Sequence, residues 1–355
     1  MFSAVVLVNH YPFTAENFSK WDATLYQSIA RSGYEFFPCA GQSMWGAQTF
    51  CGNTGWFPLY PWLTKLVAIF VRSVPAAAVL VTAGAFYGVL WLVWNWLLAG
   101  AVTTEKVLLL AFAAFFPGAL YFIVPYPTPL FLLLILLTFK FLLAERYALA
   151  GVCGAMGSLA YSSAPALVLT LGIYLLIAHR RWPIARQVRP LLLTCGLTAL
   201  GYVLFLAFLQ LDVGHWDANL KVQEKYGLGI YDPLATFLEK VVAMFRGEYR
   251  GREEFQGFQM IFCSGLMLSF LVLTTRDTKR PPSQLETLCL VQGLTFWLFP
   301  LVLGSFVLEW RAEALLLPTV VLAKRLSRPS QAVLVTLSIL LFGELTLQYF
   351  KNWLP

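Results

Sequence analysis

Apolar runs of membrane-spanning length recur along this chain, and no other feature narrows its choice of fold as much. A bilayer hydrocarbon core about 30 Å thick needs roughly twenty apolar residues per helical crossing. Such runs recur from Leu59 to Phe350 and take up most of the 355 residues. The spacing predicts spans over Leu59–Val74, Pro75–Leu98, Val107–Val124, Pro129–Ala144, Ala148–Ala178, Pro190–Leu211, Gly257–Thr275, Thr287–Leu308, Ala312–Leu326 and Gln331–Phe350. Composition agrees, since 59% of the residues are hydrophobic, 12% are charged and the mean hydropathy is +0.70, outside the soluble range. The expected fold class is therefore an all-α, polytopic integral membrane protein with about ten or eleven transmembrane helices. It forms one membrane domain over residues 1–355, with no room for a separate soluble domain. The apolar stub Phe2–Val8 is too short to span and lacks a signal peptide's basic region and cleavage site, so a first membrane helix is expected to begin upstream.

The net charge of +7 is concentrated in short connections: Arg180, Arg181, Arg186 and Arg189; then Arg276, Lys279 and Arg280; then Lys324, Arg325 and Arg328. That is the positive-inside pattern, an orientation signal rather than a nucleic-acid surface, and no nucleic-acid partner is expected. With these loops cytoplasmic, two long polar segments fall on the other side, residues 9–55 and 212–256. Both carry aromatics near their membrane edges, among them Trp21, Trp45, Trp56, Trp216, Tyr226 and Tyr231. Cys39 and Cys51 share the first segment, and a disulfide between them is expected if that compartment is oxidising. Cys153, Cys195, Cys263 and Cys289 lie in apolar runs, where a thiol acts as a small hydrophobe.

Other motifs read blandly. "GVCGAMG" over Gly151–Gly157 lies within an apolar run and suits close helix packing better than a phosphate loop, and "GAFYG" over Gly84–Gly88 reads the same way. His10, His179 and His215 are scattered, so no cofactor is expected, although a divalent metal stays open. Lys140 and Glu344 sit in apolar runs, where a charge needs a partner or a cavity. "VPYPTP" over Val124–Pro129 is either a cytoplasmic turn or a re-entrant kink lining a cavity.

The first loop raises a sharper question. In "KWDATLYQSIARSGYE", read as a helix, Asp22 falls on the apolar side formed by Leu25, Tyr26 and Ile29. Two readings are open. Ser19 and Asp22 have the spacing of a capping box, with Ser19 as N-cap and Asp22 at N3. Alternatively, a partly desolvated carboxylate on a surface helix suits a general base for a hydroxyl nucleophile. The hydroxyls, amides and rings of Thr24, Gln27, Ser28, Trp21, Tyr26 and Tyr34 suit sugar binding.

Residues in two stretches carry a family resemblance. Trp21, Asp22, Tyr26, Ile29, Ala30, Gly33 and Tyr34, followed by Phe57, Pro58, Leu59, Tyr60 and Pro61, resemble the paired signature of the PIG-V type mannosyltransferases, polytopic enzymes of the GT-C class. Looser similarity runs through "FFPGALYFIVPYPTPLFLLL", "WDANLKVQEKYG", "RAEALLLP" and "FKNW". The resemblance implies a GT-C-like bundle whose two long extracytoplasmic loops carry amphipathic surface helices. It implies inverting transfer of a hexose, mannose first, from a polyprenyl phosphate sugar to a glycolipid or glycan acceptor on the extracytoplasmic side. Asp22 would be the catalytic base, and Trp21, Tyr26, Tyr34, Tyr60, Gln223 and Arg311 would bind substrate, with the Arg311 guanidinium, beside Glu309, on the leaving phosphate. Lys20 and Arg31 would meet lipid headgroups, and Trp56 and Trp62 would be interfacial anchors. A bacterial plasma membrane is the preferred location, or the endoplasmic reticulum membrane if the chain is eukaryotic.

Two positions depart from that family's pattern. Tyr126, Pro127 and Thr128 stand where a tyrosine, threonine, glutamate turn is usual, and Ala160, Tyr161 and Ser162 where a threonine, arginine, proline stretch is usual. They bear on donor, acceptor and activity. The rival readings are a secondary transporter or lipid carrier, for which no matching halves are evident, and a non-catalytic GT-C-like subunit.

Overall fold

The computed structural model describes residues 14–39, 49–180, 183–224, 229–246, 252–278, 280–304 and 311–351. The stub Phe2–Val8 and the residues His10, Trp45, Arg181, Tyr226, Lys279, Glu309 and Trp353 lie outside them. The described chain is helical apart from one two-stranded sheet, as an all-α membrane protein requires. Among the described residues, five helices are long and apolar enough to cross a bilayer: Val74–Leu97, Ala185–Asp212, Gly257–Arg276, Gln284–Leu303 and Arg328–Phe350.

In chain order the elements begin with α1 (Ala15–Phe18) and α2 (Asp22–Ser32), then the strands β1 (Phe36–Pro38) and β2 (Phe50–Gly52). Next come α3 (Leu59–Val71), α4 (Val74–Leu92, prolonged by a π turn to Leu97), α5 (Thr103–Ala114), α6 (Thr128–Leu143), α7 (Tyr147–Ala160) and α8 (Ala164–Ala178). α9 (Ile184–Leu191) passes through a second π turn into α10 (Leu197–Asp212). That turn directly follows Pro190, whose missing N–H interrupts the ordinary helical ladder. The last elements are α11 (Ala218–Glu224), α12 (Pro233–Phe245), α13 (Arg252–Arg276), α14 (Gln284–Leu303) and α15 (Arg328–Phe350).

The ends of these elements sort into two poles. At one, Lys324 Nζ donates to the Leu97 carbonyl at 3.0 Å, Arg325 grips both oxygens of Glu286 at 3.0 and 3.1 Å, and Gln331 meets Glu105 at 3.2 Å. Two basic clusters, around residues 276–280 and 324–328, therefore share a side. At the other pole the Tyr349 hydroxyl donates to the Phe18 carbonyl at 2.6 Å, and the Tyr126 hydroxyl to the Lys20 carbonyl at 3.4 Å. α8 starts beside Tyr161 at this second pole, so Arg180, just past its far end, falls with the other two clusters.

Four expectations change. Leu59–Val74 does not form a span: α3 has 13 residues, about 20 Å at 1.5 Å per residue. Its Tyr60 hydroxyl donates to the Ala78 carbonyl at 2.9 Å, in the first half of α4, and α4's other end is the one held by Lys324. Both ends of α3 therefore stay near the Tyr126 pole, and Leu66, Ile69 and Phe70 expose an apolar stripe, Phe70 to 80%. Ala148–Ala178 breaks into α7 and α8, because Pro165 lacks an N–H and its ring would clash with the carbonyl four residues earlier, at Tyr161. Val107–Val124 ends as a helix at Ala114; beyond Pro117 and Gly118 (φ +80°) the chain makes a 3-10 turn over Ala119–Phe122. Ala312–Leu326 is largely 3-10 helix, Leu317–Arg325, rather than an α-helical span.

The glycine reading of α7 holds. A side chain at Gly151 would overlap the Leu193 carbonyl, one at Gly154 the Thr198 hydroxyl, and one at Gly201 the Ala155 carbonyl. α7 and α10 thus approach backbone to backbone. Gly88 likewise packs on Leu133, whereas Gly84 faces open space and the packing argument does not extend to it. Gly201→Leu should lower stability by about 1–3 kcal/mol or more, read as a lower melting temperature in detergent, because the obstacle is main chain.

Lys140 and Glu344 find separate partners: the Lys140 ammonium lies 5.8 Å from the centre of the Trp91 ring, and Glu344 accepts from Gln348 at 3.1 Å.

Candidate functional site

Asp22 is the first residue of α2, where the helix's unpaired N–H groups favour an anion. The capping-box reading does not hold. Ser19 lies at the end of α1, its hydroxyl donates to the Ala15 carbonyl at 2.7 Å, and the residue preceding α2 is Trp21. Trp21 has φ +56° and ψ −128°, a conformation costly for a residue with a Cβ. The turn is held from both sides: the Tyr126 hydroxyl donates to the Lys20 carbonyl, and the Lys20 N–H donates to the Tyr349 hydroxyl at 3.3 Å. Sharp reversal at Trp21 turns Asp22 inward while leaving the indole partly exposed.

Against the Asp22 carboxylate stands the Arg311 guanidinium, in an ion pair and hydrogen bond between groups 289 residues apart. The Arg311 side chain is 8% exposed and that of Asp22 25%, so the carboxylate is the outer partner. Arg311 also lies over two rings, with its guanidinium carbon 5.2 Å from the Tyr126 centroid and 5.6 Å from that of Tyr121. Tyr26 and Tyr161 complete the surroundings, all four phenols being buried and within electrostatic reach of both charges. Burial first, then Tyr161 and Asp22, push the Tyr26 phenol well above its usual pKa, so it remains a hydrogen-bond donor through the physiological range.

These positions are fixed from behind. Tyr60, directly beneath Tyr26 in an edge-on contact at 5.4 Å, shares a 2.8 Å hydrogen bond with Thr82, whose hydroxyl lies 3.2 Å from the Tyr126 carbonyl. The "VPYPTP" break is thus a turn buried against protein at the Asp22 pole. Its backbone is satisfied locally, Val124 N–H to Leu120 at 3.1 Å and Tyr126 N–H to Val124 at 2.7 Å.

The remaining residues singled out by sequence fall around the centre rather than in it. Tyr60's hydroxyl is engaged within the α3–α4 pair, as above. Tyr34 donates to the Trp56 carbonyl at 2.7 Å, joining the segment after α2 to the one before α3. Gln223 on α11 donates to the Gly55 carbonyl at 3.1 Å, next to Asn219 Nδ2 on the Thr54 carbonyl at 3.0 Å, so the second loop braces the first. Lys20 points not to lipid but to the Phe350 carbonyl, 3.0 Å from its ammonium. Trp56 is buried, so it is no interfacial anchor, whereas Trp62 is exposed and packs edge-on to Phe208 at 5.4 Å.

Cys39 and Cys51 are joined in a disulfide that closes the β1–β2 ladder, in which Phe37 pairs with Cys51. Replacing both by serine should cost about 3 kcal/mol through the freed loop, seen as a lower melting temperature.

Sequence reasoning missed Tyr121, and it treated Tyr126, Thr128 and Tyr161 only as departures from a pattern. The structure brings Tyr121, Tyr126 and Tyr161 to the charged pair. The arrangement offers a carboxylate that can take a proton, a guanidinium suited to an oxyanion, and a ring of phenols suited to a polyhydroxylated ligand. No known protein family, curated protein or solved structure matches this chain.

Proposed function

We propose that this protein is a membrane glycosyltransferase of the GT-C type. It transfers a hexose, mannose first, from a polyprenyl phosphate sugar to a glycolipid or glycan acceptor by an inverting mechanism. The observation that carries the reading is the Asp22–Arg311 pair, set among buried phenols at the pole opposite the basic clusters. By the positive-inside rule that pole is extracytoplasmic, and the Cys39–Cys51 disulfide supports the same side. Both long loops, 9–55 and 212–256, then lie outside the cytoplasm, and the fold is a GT-C-like bundle.

In the transfer, an Asp22 carboxylate oxygen accepts the proton of the acceptor hydroxyl. The hydroxyl oxygen forms its bond to the anomeric carbon as that carbon's bond to the phosphate oxygen breaks. The bonding pair leaves on the lipid phosphate, whose charge Arg311 is placed to stabilise. Tyr26 and Tyr161 would donate to sugar hydroxyls. The reading calls on no cofactor.

The test supplies membranes containing the protein with labelled polyprenyl phosphate mannose and candidate glycolipid acceptors. Label should move to a lipid product. Absence of transfer with every polyprenyl phosphate sugar, combined with substrate uptake into sealed vesicles, would overturn the proposal in favour of a transporter.

A further inference from the structure

In the structure the proposed base and the proposed phosphate-binding cation are occupied with each other. A guanidinium binds an oxyanion best as a planar fork, and Asp22 is the oxyanion now on Arg311. Arg311 lies over the Tyr121 and Tyr126 rings and is more buried than its partner, so the carboxylate is the solvent-side member of the pair. Other cations of the loop are directed elsewhere, Lys20 to Phe350 and Arg31 to the exposed surface. Two buried hydroxyls at the same place, Tyr121 Oη beside the Arg311 guanidinium and Thr128 Oγ1 beside the Tyr161 hydroxyl, make no hydrogen bond of ordinary geometry. They supply two further donors for the oxygens of an arriving anion.

We infer that Asp22 and the phosphate of the donor lipid compete for Arg311, so that donor binding releases the carboxylate and must precede deprotonation of the acceptor. The inference rests on the transferase reading and adds an order of events to it. Before the donor arrives, the base is held by an internal cation; after it arrives, the guanidinium, Tyr121 and Thr128 hold the phosphate and Asp22 is turned free toward the acceptor. A site that arms its base only when the donor is seated also avoids activating water in its absence.

Competition and cooperation predict opposite signs. The probe is polyprenyl monophosphate lacking the sugar, added to the full chain in nanodiscs. If the internal pair occupies the site about 90% of the time, Asp22→Asn should tighten phosphate-lipid binding about tenfold, because nothing charged has to be displaced. In the wild-type protein, labelling of Asp22 by a carbodiimide and an amine, read by peptide mass spectrometry, should rise several-fold when the phosphate lipid saturates. This second measurement needs no variant and stands if Asp22→Asn folds poorly. Unchanged or weaker binding by a folded Asp22→Asn, or no rise in labelling at saturation, overturns the competition while leaving the transferase reading intact. Failure of the wild-type protein and of Asp22→Asn alike to bind the phosphate lipid overturns Arg311 as a phosphate site, and the inference with it.

Discussion

Asp22→Asn should lower the rate of sugar transfer by about three orders of magnitude, within the range expected for loss of a general base. The amide keeps the shape of the carboxylate, and its carbonyl can still accept from Arg311, but it cannot take up the acceptor's proton. The measurement is the initial rate with labelled donor at saturation, beside a melting curve in the same detergent. Catalytic loss with a melting temperature lowered by only a few degrees supports the assignment. Retention of more than about a tenth of the wild-type rate would remove Asp22 as base, since a base contributes at least a hundredfold. Tyr26→Phe gives a useful contrast. It removes one buried donor beside the pair without touching the proton acceptor, so its loss should be about tenfold, close to the worth of one hydrogen bond.

What could be read from the chain depended on whether the deciding forces were local. Apolar run length gave the class of fold, because bilayer thickness acts on contiguous residues. It failed for Leu59–Val74, where a hydropathy window sees apolar residues but not the fold-back that ties Tyr60 to Ala78. It failed again at Ala148–Ala178, where one proline, Pro165, outweighs a continuous apolar pattern and puts Tyr161 at a break beside the site. The capping box at Ser19 had correct spacing and an incorrect partner: the Ser19 hydroxyl is claimed by Ala15, and the positive φ of Trp21 moves the helix start by two residues. Asp22 stood out because a carboxylate on an apolar face is a local anomaly. Tyr121, Tyr126 and Tyr161 did not, because rings are common in a chain that is 16% aromatic and only their convergence on Arg311 gives them meaning. Likewise, no rule of spacing pairs Asp22 with a residue 289 positions away.

That pair also predicts an asymmetry between its two members. Arg311→Met should reduce transfer about 10²–10³-fold, the scale of losing one preorganised group that stabilises developing negative charge. Its effect on stability should be smaller than the burial of the residue suggests. Methionine is flexible and apolar, it packs well beside the Tyr121 and Tyr126 rings, and the quarter-exposed Asp22 left behind can turn to water. Asp22→Ala does the reverse, taking the paired carboxylate from a buried guanidinium and putting no amide carbonyl in its place, and breaking a buried pair from that side costs about 3–5 kcal/mol. The melting temperature should therefore fall further for Asp22→Ala than for Arg311→Met, and the double variant should resemble Arg311→Met, because removing the buried cation relieves the penalty of removing its partner. Arg311→Lys would keep the charge yet lose the planar fork and the stacking, so its transfer rate should lie nearer to Arg311→Met than to wild type. Strictly additive losses in the double variant would mean that the two groups do not act on each other, and the site would have to be built from other residues.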